Sequence, residues 1–178
     1  STANITKGET KSENATLVGD FSSDGLNPGE NITIEANTTG YEVNTTRVED
    51  LRPNATETVS VTLEAKNVTV RTDADLSVSP AQNTTVRFRL FNATTDTTFD
   101  TQTANVTPDS TSTGTVELDG DFSTTILDAG DTLRVQANTT AGDIGYENAT
   151  TSPLTGIYPG NNVSAVNQLE LEAGNATV

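Results

Sequence analysis

The clearest pattern in the chain is the alternation of apolar and polar residues over short runs. The strongest run is residues 86–90, where apolar residues alternate with Arg87 and Arg89, and similar runs cover residues 59–65 and 133–137. Because successive side chains of a strand point to opposite faces, this period of two predicts strands with one buried face. We expect residues 86–90 to form a central strand.

Gly, Pro and Asn residues, which favour turns, separate these runs. Asn27-Pro28-Gly29 is one such turn. No window shows the period of an amphipathic helix. Short strands separated by turns at intervals of roughly ten residues are typical of sandwiches. The sequence therefore predicts an all-β fold, an immunoglobulin-like or jelly-roll β-sandwich.

The chain also contains an internal duplication. Residues 2–39 align without a gap with residues 103–140, at a constant offset of 101 residues, and TAN, GDFS and ANTT match outright. A further echo, GYEVNTT against GYENATT, extends the repeat to residues 2–46 and 103–151. Because the apolar positions keep their phase, we expect both copies to form the same strands.

Two domain organisations fit this repeat. In the first, residues 1–16 form an extended N-terminal strand and residues 17–178 form one pseudo-symmetric β-sandwich. In the second, two small sandwiches divide near residue 101. Several strand-like runs follow the first copy, whereas only 27 residues follow the second. A copy that is short of strands would expose an unpaired sheet edge, which can pair with another chain.

Composition excludes several classes of function. The chain has a formal net charge of -16 and contains no Cys and no His. Such a charge repels nucleic acid, which proteins bind through Lys and Arg. Without Cys and His there is no disulfide framework, no typical zinc site and no Ser-His-Asp arrangement. We therefore expect neither an enzyme nor a nucleic-acid-binding protein.

Asn-X-Ser/Thr sequons are unusually dense. They include 14 of the 17 asparagines, although Ser and Thr together fill only 47 of the 178 positions. This excess indicates N-glycosylation, and therefore export from the cell. The predicted glycosylation sites are Asn4, Asn14, Asn31, Asn37, Asn44, Asn54, Asn67, Asn83, Asn92, Asn105, Asn138, Asn148, Asn162 and Asn175.

The composition as a whole resembles that of surface proteins of halophilic archaea. It is acidic, cysteine-free and rich in Thr, and it has more Arg than Lys. The resemblance implies a secreted or cell-surface protein, whose charge keeps it soluble in strong salt. No run approaches the roughly 18 apolar residues of a membrane span. We expect a mature, processed chain without one.

The N-terminus offers a candidate donor strand for assembly. Its sequence repeats residues 103–107, but at a free end, so it can add to the sheet of another subunit through main-chain hydrogen bonds. Head-to-tail addition generates an open filament. Alternatively, residues 163–171 supply the strand, or the N-terminal residues pair within their own domain. The candidate donor residues are Thr2, Ala3, Asn4, Ile5 and Thr6.

This layout resembles the β-sandwich subunits of archaeal surface threads, bundling pili and cannula-like tubes, which join by donor-strand exchange. The resemblance implies a structural subunit whose partners are copies of itself in a homopolymer. The alternative is a non-polymerising cell-surface adhesion module, or an immunoglobulin-like module of the S-layer type.

Acidic residues suggest one metal site. Asp119, Asp121, Asp128 and Asp131 lie within one strand-turn segment, and carboxylates with carbonyls can supply the oxygen ligands that calcium takes. The spacing does not match an EF-hand, so a solvated acidic turn is the alternative. Apart from this calcium site and N-linked glycans, we expect no cofactor.

Overall fold

A computed structural model describes residues 19–21, 25–122, 127–142 and 145–174. The secondary-structure elements in these ranges are all β-strands, which confirms the predicted all-β fold. In these ranges, no helix is long and apolar enough to cross a membrane. The predicted N-terminal strand, residues 1–16, lies outside the described ranges.

The described strands are β1 (Ile32–Ala36), β2 (Asn44–Val48), β3 (Val68–Thr72), β4 (Asp75–Leu76), β5 (Thr84–Asn92), β6 (Thr98–Val106), β7 (Val116–Gly120), β8 (Leu133–Ala141), β9 (Ala149–Thr150), β10 (Asn162–Ala165) and β11 (Glu170–Leu171).

Residues 67–174, the second unit, form a β-sandwich. One sheet has the strand order β6-β5-β8-β9 and the other has the order β10-β3-β7. Further along the chain, β11 pairs with β4 in the same parallel sense as β10 with β3. One apolar cluster contains residues from both sheets, so the sheets enclose a common core.

Strand β5 lies inside its sheet, as its alternating sequence predicted. Its antiparallel neighbours are β6 and β8. Val86, Phe88 and Leu90 are fully buried, whereas Arg87 is exposed. One face of β5 therefore covers the core and the other meets solvent, which is what a period of two requires.

The described part of residues 19–66, the first unit, contains fewer strands than the second unit. Strands β1 and β2 pair antiparallel, and no further strand pairs with either among the residues described. Leaving aside residues 22–24, the one buried side chain of this unit is Val48, at 7% exposure. The described residues of the first unit thus form a two-stranded sheet without an enclosed core.

The two units nevertheless pair corresponding residues in the same register. Glu35 lies opposite Thr45 in the first unit. Their repeat counterparts, Gln136 and Thr150, lie opposite each other in the second. The pair β1-β2 is therefore the structural equivalent of β8-β9.

The turns that precede β1 and β8 also match. The Gly29 N–H donates to the Leu51 carbonyl at 2.7 Å, and the Gly130 N–H donates to the Ile157 carbonyl at the same distance. Both glycines have φ near +90°, which is strained for other residues. The repeat thus fixes turn geometry as well as strand pairing.

The repeat extends further along the chain than residues 46 and 151. LEAKNVTV at residues 63–70 recurs as LEAGNATV at residues 171–178. The alanine of each copy forms an isolated antiparallel bridge with a tyrosine of its own unit. These bridges join Tyr41 to Ala65 and Tyr146 to Ala173.

The strand expected over residues 59–65 is absent, and the segment forms one bridge, at Ala65. The corresponding part of the second unit, residues 167–173, includes β11, which pairs with β4. The Thr62 carbonyl accepts from the Asn44 side-chain amide, and the Glu64 carbonyl accepts from the Glu42 N–H, each at 2.7 Å. Among the described residues, no strand pairs with residues 59–64, and an alternating sequence without a neighbouring strand does not form a ladder.

Candidate strand-binding site

The open edge of β1 is the main structural difference between the two units. Its counterpart β8 lies between β5 and β9. Within the described part of the chain, β1 pairs only with β2, which corresponds to β9. Among the described residues, therefore, no strand covers the edge of β1 that corresponds to the edge of β8 beside β5.

Backbone donors point to this open edge. In β8 the Val135 N–H donates to Thr151 Oγ1, on the β9 side, at 3.1 Å. Successive amides of a strand point to opposite edges, so the Gln136 N–H faces β5. Its counterpart in β1 is Glu35, whose N–H therefore faces the open edge.

Strand β1 also carries an apolar face that the first unit does not enclose. Alternate residues of β1 are half-buried, whereas their counterparts in β8 have 0% exposure. In the second unit, Phe88 and Leu90 of β5 lie beside these counterparts and complete the core. Since burial of aliphatic side chains is favourable, this face can stabilise an added strand. The corresponding residues are Ile32 and Leu133, Ile34 and Val135, and Ala36 and Ala137.

A second open position lies beside residues 61–65. Leu63 is half-buried, but its counterpart Leu171 has 0% exposure and pairs with Leu76 of β4. Among the described residues, no strand of the first unit therefore occupies the positions of β4 and β5. In the second unit these strands belong to one continuous segment, residues 68–92.

The outward face of β1 carries one carboxylate, that of Glu35. Glu35 is exposed and stands where Gln136 lies opposite Arg89 of β5. Residues 19–66 contain nine acidic and three basic residues, a net charge of -6 (3 minus 9). The charge of the first unit favours a partner strand that carries arginine.

Glu30 closes the turn that leads into β1. Its carboxylate accepts hydrogen bonds from the backbone N–H and the side-chain amide of Asn27, each at 2.9 Å. The side-chain bond first, and then the backbone bond, hold the pKa of Glu30 below its ordinary value, because both favour the charged carboxylate. In the second unit the counterpart Asp131 accepts from the Asp128 N–H at 3.1 Å. The turn is therefore formed although β1 has β2 as its one neighbour among the described strands.

Most predicted glycosylation sites are accessible. Asn138 on β8 is half-buried, and Asn92 is buried at 4% exposure. Asn4, Asn14 and Asn175 lie outside the described residues. The exposed sites are Asn31, Asn37, Asn44, Asn54, Asn67, Asn83, Asn105, Asn148 and Asn162.

The buried sequon differs from the others because its side chain is used in the fold. Asn92 Oδ1 accepts hydrogen bonds from the N–H groups of Thr94 and Thr95, at 2.8 and 3.2 Å. Its Nδ2 donates to Asp131 Oδ2 at 2.9 Å. The nitrogen that would carry a glycan is therefore already engaged.

The four predicted calcium ligands are divided between two elements. Asp119 lies on β7 and accepts from Thr69 Oγ1 at 2.8 Å. Asp121 follows β7, whereas Asp128 and Asp131 belong to the turn before β8. Across the described ranges, no three acidic side chains form a group that could hold a metal ion.

The structure describes one of the two predicted donor segments and not the other. Residues 163–171 contain β11 and most of β10, which pair inside the second unit. The internal copy of the N-terminal segment, residues 103–107, contributes the end of β6, an edge strand beside β5. The N-terminal donor residues themselves lie outside the described residues.

Comparisons with known proteins give little similarity. No protein-family model and no curated protein matches the chain. One solved structure, the TIE protein of Bacillus anthracis, is similar over 84% of this chain, with 12% sequence identity and a TM-score of 0.39. The match covers 26% of that protein, so this chain spans about a quarter of its length.

Proposed function

We propose that the protein is a structural subunit of an extracellular archaeal filament, heavily N-glycosylated and assembled by β-strand addition. The observation that carries the proposal is the open edge of β1, which keeps the geometry of β8 but has no counterpart of β5 in the described residues. An added strand would pair with the free backbone groups and cover Ile32 and Ile34.

Strand addition suits a structural role because the backbone supplies affinity and alternate side chains supply register. An exposed sheet edge is a template for other chains, and proteins that do not use such an edge usually block it. A strand that leaves one subunit and enters the next makes a heterologous contact, which propagates as an open filament.

Surface chemistry supports a position outside the cell. Exposed sequons occur in both units, including Asn37 and Asn44 in the first and Asn148 and Asn162 in the second. Glycans at these positions would cover the outer surface. The net charge of -16 keeps such a surface hydrated in strong salt.

A second candidate function is a non-polymerising surface module of the adhesion or S-layer type. The observation that favours it is the recurrence of LEAKNVTV as LEAGNATV, because the first copy leads directly into β3 of the next unit. Such a junction is what a tandem array of sandwich modules requires. In this case, covalent neighbours and not separate subunits would complete each module.

Electron microscopy and intact mass distinguish these functions. Material from a halophilic archaeal host is examined by negative stain, and its subunit mass is measured before and after boiling in detergent. We expect filaments whose subunits are heavier than the 18.6 kDa polypeptide. A discrete monomer of 18.6 kDa contradicts both the filament and the glycans, and a glycosylated monomer favours the second function.

Deletion of residues 1–10 tests the N-terminal donor. If residues 1–10 contain the donor strand, the truncated subunit should remain folded but stay monomeric. A non-polymerising module is little changed. Circular dichroism of both forms controls for loss of folding.

A further inference from the structure

We propose that the chain docks on a second copy of itself through two oppositely charged faces of the second unit. One is the outward side of the sheet β6-β5-β8-β9, and the other is the outward side of β4 and β11. The contact joins surfaces and needs no added strand. The inference therefore goes beyond the proposed function and does not depend on it.

The outward side of the sheet β6-β5-β8-β9 carries Arg87, Arg89 and Arg134, three of the chain's nine basic residues, and we call it the arginine face. Arg87 and Arg89 point outward because the residues of β5 that alternate with them have 0% exposure. Arg134 of β8 lies opposite Phe91, which follows Arg89 by two residues. Because cross-strand partners share one side of a sheet, the three arginines lie on the same face.

Two of these arginines have no carboxylate partner. Four of the chain's six arginines form ion pairs, including Arg89 with Asp96. In the part of the chain that the structure describes, Arg87 and Arg134 form none. The Nε atoms of Arg89 and Arg134 are also enclosed without a hydrogen-bond partner. Since the chain has 25 acidic residues, unpaired guanidinium groups on one face favour an anionic partner for that face.

The outward side of β4 and β11 has the opposite imbalance, and we call it the acidic face. Glu170 lies opposite Asp75 in the parallel pair of β11 and β4. The Glu147 N–H donates to the Glu172 carbonyl at 2.8 Å, which brings two further acidic residues side by side. Across the described ranges, none of these four carboxylates forms an ion pair. Like charges that face each other across strands are destabilising, so this face favours a cationic partner.

The two faces lie on opposite sides of one core. Leu171 of β11 and Phe88 of β5 both have 0% exposure and belong to the same apolar cluster. Because side chains alternate along a strand, Glu170 and Arg87 point away from that cluster in opposite directions. Every copy therefore carries both faces. A contact between different faces of identical subunits can repeat from one copy to the next.

The spacing of the charges also agrees between the two faces. Arg87 and Arg89 are two residues apart on β5, and Glu170 and Glu172 are two residues apart along β11 and its continuation. Two residues of a strand span roughly 6.6 Å, so two arginine–carboxylate pairs can form at once. Such pairs make charge-assisted hydrogen bonds, and complementary charges fix the register of an interface.

Sedimentation velocity of the intact, unglycosylated 178-residue chain at fixed salt tests this contact. One variant reverses the arginine face with Arg87→Glu and Arg134→Glu, and a second reverses the acidic face with Glu170→Arg and Glu172→Arg. We expect the wild type to self-associate. Each variant alone should associate at least about a hundredfold more weakly, because like charges then face each other across the interface.

A mixture of the two variants provides the decisive measurement. The first variant carries two acidic faces and the second carries two basic faces, so an equimolar mixture should recover the association of the wild type. Arg47→Glu with Arg52→Glu is the matched control, because it makes the same change of charge in the first unit. It should associate like the wild type. If the arginine-face variant loses its circular dichroism signal, Arg87→Gln with Arg134→Gln replaces it and should also weaken association.

Three results would overturn the inference: a wild-type chain that stays monomeric at every concentration tested, equal association by the face variants and the control, or a mixture that associates no better than its components. Binding of polygalacturonate by a wild-type chain that stays monomeric would assign the arginine face to an acidic polysaccharide and would also overturn it. Filaments that form in spite of either reversal would leave the proposed function standing without this contact. Face-dependent association of a chain that forms no filaments would overturn the proposed function and keep this inference.

Discussion

Asn92 Nδ2 donates a 2.9 Å hydrogen bond to Asp131 Oδ2 and thereby joins the end of β5 to the turn before β8. Asp131 Oδ2 also accepts from the Asp128 N–H at 3.1 Å. Asn92, a predicted glycosylation site, and Asp131, a predicted calcium ligand, therefore belong to one hydrogen-bond network that supports the fold. This arrangement leads to separate predictions for the glycan and for stability.

We predict that Asn92 carries no glycan in the mature protein. Its amide nitrogen is buried and bonded, so an attached sugar would expel the side chain from the turn. Asn105 is the matched control, because it is also on a strand of this sheet but is exposed. Site-resolved mass spectrometry of glycopeptides should find glycan at Asn105 and unmodified Asn92. High occupancy at Asn92 would contradict the structure of this turn.

We predict that Asn92→Ala destabilises the second unit by about 1–3 kcal/mol, because buried partners lose their hydrogen bonds. The Thr94 and Thr95 N–H groups would lose an acceptor and Asp131 a donor. Asn105→Ala, at an exposed position, should change stability by less than about 0.5 kcal/mol. Denaturant unfolding at fixed high salt measures both variants. Equal free energies of unfolding for Asn92→Ala and Asn105→Ala would show that the hydrogen bonds of Asn92 make no net contribution to stability.

We predict that Gly40→Ala disrupts the packing of Gly40 against Pro159. Gly40 has φ of 87°, and a Cβ there would clash with the Pro159 carbonyl oxygen. Gly130→Ala is the matched control, since its φ is 92° but its Cβ would meet nothing within 4 Å. The backbone strain of about 1–3 kcal/mol is common to both variants. Calorimetry should give a lower melting temperature for Gly40→Ala than for Gly130→Ala, and the reverse order would exclude the close contact.

We predict that Glu30 titrates below its ordinary pKa in the folded protein. The hydrogen bonds from Asn27, first the side-chain and then the backbone bond, cause this shift. A carboxyl whose folded pKa is depressed contributes stability above its unfolded pKa, and loses it as pH falls through the folded value. The contribution of Glu30 should therefore be complete above about pH 4.5 and be lost progressively as pH falls below that value. NMR titration of the carboxyl carbon measures the pKa, and Asn27→Ala should raise it.

The sequence was sufficient to predict the fold class and the position of β5, because strict alternation identifies a half-buried strand. It was not sufficient for residues 59–65, whose alternation is as regular. A strand needs a neighbour, and in the part of the chain that the structure describes no strand pairs with this segment. Local pattern specifies which face of a strand would be buried, but pairing depends on distant parts of the chain.

The candidate site was accessible to sequence analysis only in part. The duplication is visible in the sequence, and one of its two interpretations is a second copy that is short of strands. Among the described residues, the second copy contributes β8 and β9 to a four-stranded sheet, whereas β1 of the first copy pairs with β2 alone. The recurrence of LEAKNVTV as LEAGNATV could have shown this, because it places residues 63–70 at the end of one unit and the start of the next. Asn92 was indistinguishable from other sequons, since burial of its amide depends on Asp131, which is distant in sequence.

The last prediction concerns completion of the first unit within one chain. A second copy of residues 67–101 added before Ser1 continues in phase, because Ser1 and Gln102 are separated by the repeat offset of 101 residues. The added β5-type strand should cover Ile32 and Ile34, and full burial of such side chains contributes about 1.5–3 kcal/mol each.

We therefore expect the first unit of the extended chain to melt at a higher temperature than that of the original chain, by roughly 5 °C or more. The control carries the same extension with Phe88→Asp and Leu90→Asp in the added copy only. It has the same length and the same backbone donors, but it cannot bury an apolar face against β1. Equal melting of the extended chain and its control would mean that the open edge does not select a strand of the β5 type. A higher temperature for the extended chain alone would show that the half-buried face of β1 is the unfinished side of a sandwich core.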